Sequence, residues 1–115
     1  MQLKKNCSFD HKKKDDTLLL RLYGEIDHHS AMRIRMEMDA LIKETVPKTV
    51  YMDLSGIEFM DSSGLGLIMG RHSLMDKLGG KLVIQTPNDR IARILDLAGI
   101  SRMIEIKTDK EDETR

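Results

Sequence analysis

Residues 17–54 have the sequence TLLLRLYGEIDHHSAMRIRMEMDALIKETVPKTVYMDL, and the spacing of their apolar side chains changes twice. Apolar residues first alternate with others, which predicts a strand from about Thr17 to Tyr23, ended by Gly24. From about His29 to Thr45 they recur three or four positions apart, as on one face of a helix. Alternation returns over 50–54, so the segment is predicted to form a strand, a helix and a second strand.

The rest of the chain continues this alternation of strands and helices. Such an order favours right-handed crossovers between parallel strands, with an antiparallel hairpin from the N-terminal pair. The sequence therefore predicts an α/β fold. The further elements expected are a strand over about 3–11, a turn over 12–16, a loop over 55–61, a helix from Ser62 or Ser63 to Leu78, a strand over 82–84, a helix between the capping residues Asn88 and Gly99, and a strand over 103–106.

Composition excludes several classes of function. The 115 residues fit one domain, and equal counts of 19 basic and 19 acidic residues lack the basic excess of a nucleic-acid-binding domain. Cys7 is the single cysteine, so neither an intrachain disulfide nor a cysteine metal site is expected. Charges throughout the first twenty residues argue against a signal peptide, and no apolar run could span a membrane. We expect a cytoplasmic protein.

The segment FMDSSGLG, residues 59–66, places two serines and two glycines at the predicted start of a helix. One serine could simply cap the helix, although Asp61 could do so alone. Gly64 and Gly66 each destabilise a helix by about 1 kcal/mol relative to Ala. Their presence suggests close approach by a partner molecule or by a neighbouring backbone.

Three functional interpretations of this segment compete. A phosphate-binding loop would need a longer glycine spacing and usually a lysine. A nucleophile elbow fits poorly, because Met60 stands where a glycine is required for Ser62, and Ser63 would lack both glycines. The third interpretation is a regulatory serine that another protein phosphorylates. His28 and His29 have no third predicted ligand nearby, so a metal site is not expected.

GEIDHH at 24–29 followed by FMDSSGLG at 59–66 resembles the STAS-domain anti-sigma-factor antagonists, and the paired histidines are typical of the sporulation branch. The resemblance covers about residues 17–106. It implies a sheet of four or five strands with helices packed mainly on one face, formed by a single domain over 1–107. Residues 108–115 are expected to form a charged, flexible tail. The family usually closes with an apolar C-terminal helix, which 107–115 lacks the residues to form.

The resemblance also implies a partner, an anti-sigma factor that is itself a serine kinase using ATP and magnesium. The phosphorylated residue maps to Ser62, and a serine phosphatase would regenerate the active form. The chain itself is expected to hold no cofactor and to be no enzyme. A STAS-type binding module in another stress or signalling pathway is the alternative. The residues expected to bind the kinase are Glu25, Asp27, His28, Asp61, Ser63, Gly64 and Leu65, and Asp27 could equally be the cap of the first helix.

Overall fold

The elements follow one another as strand, strand, helix, strand, helix, strand, helix and strand, in the order that the sequence predicts. The structure is a computed structural model that describes residues 6–85 and 87–108. The elements are β1 (Ser8–Lys14), β2 (Thr17–Ile26), α1 (His28–Thr45), β3 (Thr49–Met60), α2 (Ser62–Lys77), β4 (Lys81–Gln85), α3 (Asp89–Leu97), a 3-10 turn (Ile100–Arg102) and β5 (Glu105–Lys107).

The five strands form one sheet in the order β1-β2-β3-β4-β5. β1 is antiparallel to β2, and the other neighbours are parallel. Each crossover moves one strand in the same direction, so right-handed connections place all three helices on the same face of the sheet. The mixed sheet with helices on one face confirms the predicted fold class.

The core lies between that face and the helices. On β2 the side chains of Leu18, Leu20 and Leu22 are fully buried, whereas those of Arg21 and Tyr23 point to the open face. Methionines fill the interior beside the aliphatic residues, because their flexible side chains fit irregular gaps. The other large, fully buried side chains are those of Ile26, Ile34, Met38, Ile42, Met52, Leu54, Ile57, Ile68 and Met75.

β2 and β3 are longer than the sequence predicts. Gly24 was expected to end β2 and residues 55–61 to form a loop, but β2 continues to Ile26 and β3 to Met60. Two register shifts, between Arg21 and Tyr23 and between Gly24 and Glu25, allow pairing to continue past the irregular positions. The strand prediction was therefore too short at this edge of the sheet.

Smaller corrections concern both ends of the chain. The N-terminal turn is only Asp15–Asp16, because the lysines at 12–14 pair with β2. The last strand begins at Glu105 rather than 103, because the backbone N–H groups of Met103 and Ile104 donate to the Ile100 carbonyl. The expectations for 1–5 and for the tail beyond Thr108 lie outside the described residues. No helix in the described part of the chain has the length and hydropathy to cross a membrane.

Gly24 and Gly79 provide a matched test of how closely the Asn6 backbone approaches β2. Both have positive φ, +95° and +80°, but a Cβ at Gly24 would collide with the carbonyl of Asn6, whereas a Cβ at Gly79 would meet no described atom within 4 Å. We expect Gly79→Ala to destabilise the protein by about 1 kcal/mol and Gly24→Ala by about 2–4 kcal/mol. Urea denaturation measures both; equal losses would contradict the close approach at Gly24.

Candidate functional site

The first turn of α2 is held by Asp61 rather than by a serine. Asp61 is the N-cap, and its Oδ1 accepts a hydrogen bond from the Ser63 backbone N–H at 2.8 Å. Its carbonyl accepts the Gly64 N–H at 2.9 Å. Ser62 is the first helical residue and is exposed, and its hydroxyl makes no hydrogen bond within the described residues. The Ser62 hydroxyl is therefore not needed to hold the helix start.

α1 begins in a similar way one strand away. Asp27 is its N-cap, with Oδ1 accepting the Ser30 N–H at 2.9 Å, while the Asp27 N–H donates to Ser30 Oγ at 3.1 Å. This capping box satisfies backbone groups that a helix end leaves without partners. Ser30 is buried and its Oγ also lies 3.4 Å from the Glu25 carbonyl. Asp27 therefore has a structural role, whatever else it contacts.

The two helix starts are joined through the ends of β2 and β3. Ile26 pairs with Met60, and the Asp61 N–H donates to the Ile26 carbonyl at 3.2 Å. Glu25 pairs with Phe59 in the same ladder. The predicted site residues of 25–28 and 61–65 consequently lie at one end of the sheet.

Gly64 and Gly66 differ in what surrounds them. A Cβ at Gly64 would lie 2.7 Å from Met60 Sδ and 2.8 Å from Met60 Cβ, so packing within the protein requires glycine there. Leu65 is half-buried against the core. A Cβ at Gly66 would meet no described atom within 4 Å. Of these two glycines, only Gly66 has no packing reason for glycine among the described residues.

A cleft of about 240 Å³ separates the first turns of α1 and α2. His28, a predicted site residue, lies on one wall and Ser63 on the other. Sequence reasoning missed two further residues of the cleft, Met32 and Arg35. Met32 is 54% exposed, and its position off the buried stripe of α1 was the signal that could have identified it. The remaining lining residues are Ala31, Gly66 and Leu67.

The Ser62 hydroxyl is an exposed polar group at the start of α2, and the nearby thiol and imidazoles offer no further chemistry of their own. Burial raises the pKa of the Cys7 thiol to about 11, so at neutral pH it is protonated and a poor nucleophile. His28 and His29 are exposed, with ring centroids 6.5 Å apart. Among residues 6–85 and 87–108, no cluster of three His, Cys, Asp or Glu side chains could hold a metal ion. Ser62 is thus exposed next to Asp61 at the start of α2, at the same end of the sheet as Asp27.

Two substitutions of Asp61 distinguish its hydrogen bond to the helix start from the effect of its negative charge. We expect Asp61→Ala to lower the free energy of unfolding by about 1 kcal/mol, because the Ser63 N–H loses its acceptor. Asp61→Asn keeps an acceptor oxygen and should remain within a few tenths of a kcal/mol of the parent. Chemical denaturation compares the variants. If Asp61→Asn were as unstable as Asp61→Ala, charge rather than capping would hold the helix start.

Comparison with known proteins places this geometry in a known family. The model of the STAS domain matches residues 8–113. The chain is 38% identical over 89 residues to the anti-sigma F factor antagonist of Paenibacillus polymyxa, covering 77% of this chain and 76% of that protein. It is 28% identical over 106 residues to the anti-sigma-B factor antagonist of Bacillus subtilis, covering 92% and 95%.

The solved structures agree. The unphosphorylated form of the anti-sigma factor antagonist SpoIIAA superposes with a TM-score of 0.77 at 26% identity, covering 91% of this chain and 92% of that one. The phosphorylated form of SpoIIAA from Bacillus gives a TM-score of 0.70 at 27% identity, with coverage of 94% and 100%. The likeness extends over nearly the whole chain and includes both segments of the site.

Proposed function

This chain belongs to the STAS-domain family and is an anti-sigma factor antagonist, and from that membership we propose that it is a switch controlled by phosphorylation of Ser62. In its unphosphorylated form it binds an anti-sigma factor that is a serine kinase, and the bound sigma factor is released. The end of the sheet that carries Ser62 is the docking surface. We place the exchange in the cytoplasm, where sigma factors act.

One observation carries the proposal: Ser62 is exposed at the first position of α2 while Asp61 caps that helix. A kinase can therefore take the Ser62 hydroxyl without breaking a hydrogen bond of the described residues. The kinase transfers the γ-phosphoryl group of ATP, with Mg²⁺, to Ser62 Oγ, and ADP leaves. The proton of the hydroxyl passes to the kinase or to water. ATP and Mg²⁺ belong to the partner, and a serine phosphatase hydrolyses the phosphate to reset the switch.

The position of Ser62 supports a switch that acts at the interface. A phosphoserine carries about −1.5 to −2 charges at neutral pH. Free first-turn N–H groups and the helix dipole favour an anion at this position, so the fold tolerates the phosphate. A partner surface shaped for a neutral hydroxyl does not, because the added charge lies next to Asp61 and must be desolvated on binding. Phosphorylation thus ends the complex.

The relatives favour the sporulation pathway over the general stress pathway. Identity is 38% and 33% to two anti-sigma F factor antagonists, against 28% and 31% to the anti-sigma-B factor antagonists of Bacillus subtilis and Listeria monocytogenes. A role in a sigma-B type pathway is the second candidate, supported by the longer alignment with the Bacillus subtilis relative, 92% of this chain. In both cases the chain is a non-enzymatic antagonist that uses the same surface.

Substitution of the two serines tests the assignment of the phosphorylated residue. Ser62→Ala should remain folded and bind the kinase but accept no phosphate, because the acceptor oxygen is gone. Ser63→Ala should still be phosphorylated, since the cap uses the backbone N–H of Ser63. Incubation with the anti-sigma factor from the chain's own genome, ATP and Mg²⁺ is followed by mass spectrometry of the peptide that contains both serines. Phosphate on Ser63 alone would contradict the proposal.

Phosphorylation should change binding far more than stability. We expect the Tm of the phosphorylated protein to stay close to that of the parent, while affinity for the anti-sigma factor falls by about a hundredfold or more, the effect of losing roughly 2.7 kcal/mol. Ser62→Asp should reproduce only part of the loss, having one charge and a shorter reach. Melting curves and binding titrations of the phosphorylated and unphosphorylated protein test this prediction. A sharply lower Tm with unchanged binding would instead indicate local unfolding of α2.

A further inference from the structure

The exposed side of α1 next to the site carries two apolar side chains that the core does not use. Met32 is 54% exposed and Met36 is 69% exposed. Residues four apart lie on the same side of a helix, so the two form one apolar strip. Met32 lines the cleft between α1 and α2, and Met36 lines the adjoining surface further along α1. Flexible methionines are common on surfaces that adapt to a protein partner.

The other wall of the cleft is open where α2 lacks a side chain. Gly66 lines the cleft, and a Cβ there would meet no described atom within 4 Å. Glycine is among the weakest helix formers, so its presence in α2 is unfavourable without a compensating use. A volume of about 240 Å³ is below the usual size of a small-molecule site. It suits an inserted side chain of a protein partner better.

The positive charge of Arg35 indicates that the partner carries an acidic residue at this contact. Arg35 lines the cleft, is exposed, and has no hydrogen-bond or ion-pair partner in the described ranges. The neighbouring cations are engaged: Arg33 lies 3.8 Å from Glu37, and Arg71 Nε lies 2.8 Å from Asp39 Oδ1. The surface around Arg35 therefore offers a positive charge to a carboxylate from outside.

The ion pair between Arg71 and Asp39 holds α1 against α2 beside the cleft. Arg71 is on α2 and Asp39 on α1, and Arg71 Nη2 also donates to Asp39 Oδ2 at 3.3 Å. Burial lowers the pKa of Arg71 and Asp39 opposes this shift, but an arginine remains charged at neutral pH. Separating the helices would break this charge-assisted pair. The cleft is consequently present before any partner arrives.

We infer that the cleft between α1 and α2 is a second contact for the anti-sigma factor, which inserts an apolar side chain over Gly66 between Met32 and α2 and pairs an acidic residue with Arg35. The inference rests on the proposed function. Ser63 and His28 also line the cleft, so this contact is continuous with the surface around Ser62 and one partner can cover both. The contact determines which anti-sigma factor the chain accepts, separately from the phosphorylated serine.

Gly66→Ala and Gly70→Ala form the decisive pair. Both positions are in α2 and have no described atom within 4 Å of an added Cβ, but only Gly66 lines the cleft. Both variants should raise the Tm, because alanine favours helix. Gly66→Ala alone should weaken binding of the anti-sigma factor from the chain's own genome by about tenfold. Equal weakening by both variants, or by neither, would overturn the inference.

Arg35→Gln tests the charge, with Arg93→Gln on the exposed side of α3 as its control. Glutamine is chosen because a carboxylate at position 35 could pair with Arg71. Arg35→Gln should weaken binding by about fivefold and reduce its dependence on salt, while Arg93→Gln changes neither. If the parent binds and is phosphorylated but these variants and Gly66→Ala match it, the cleft inference fails and the proposed function stands. If the parent itself does not bind, both fail.

Discussion

The parallel pairing of β2 and β3 through their last residues is the constraint on which the site depends. Ile26 and Met60 end the two strands side by side, and in each case the next residue is an aspartate that caps a helix. The two carboxylates are thus brought to the same edge by the sheet register. Each accepts an N–H from its own helix, and these hydrogen bonds together with the helix dipoles offset the repulsion between them.

Adjacent residues at the start of α2 have different roles because of this geometry. Asp61 holds the helix start, so the Ser62 hydroxyl has no hydrogen-bonding role within the described residues. Gly64 serves the fold by admitting Met60, whereas Gly66 leaves space that the fold does not fill. A segment that looks uniformly small in sequence therefore contains both internal and external positions. Changes at neighbouring residues should have quite different effects.

Periodicity predicted the kind and order of the elements well, because Leu18, Leu20 and Leu22 or the apolar stripe of α1 report directly on burial. Periodicity failed where a segment forms a strand because a neighbouring strand pairs with it. Residues 55–60 contain Ser55, Gly56 and Glu58 and look like a loop, yet they extend β3 because β2 continues beside them. The ion pair of the buried Arg71 could not be predicted from the sequence either. Its partner Asp39 lies 32 residues earlier in the chain, and only the packing of α1 on α2 brings the two together.

The site was identified through its resemblance to a family, and the physical roles within it came from the structure. The motif pointed to Ser62, while residue preferences at helix starts already suggested that Asp61 could act as a cap. Nothing in the sequence placed Met32 or Arg35 opposite Gly66, because that neighbourhood depends on how the two helices cross.

The ion pair between the buried Arg71 and Asp39, which joins α2 to α1, has a consequence for the speed of the proposed switch. A surface that needs no rearrangement before docking loses little conformational entropy on binding, and its association rate is limited by diffusion and by long-range attraction. Charged groups of opposite sign at its two ends, the aspartates and Arg35, would orient an approaching partner. In the proposed switch, association with the anti-sigma factor therefore sets the timing of sigma factor release. Dissociation of the complex, which depends on the short-range contacts, sets the timing of recapture.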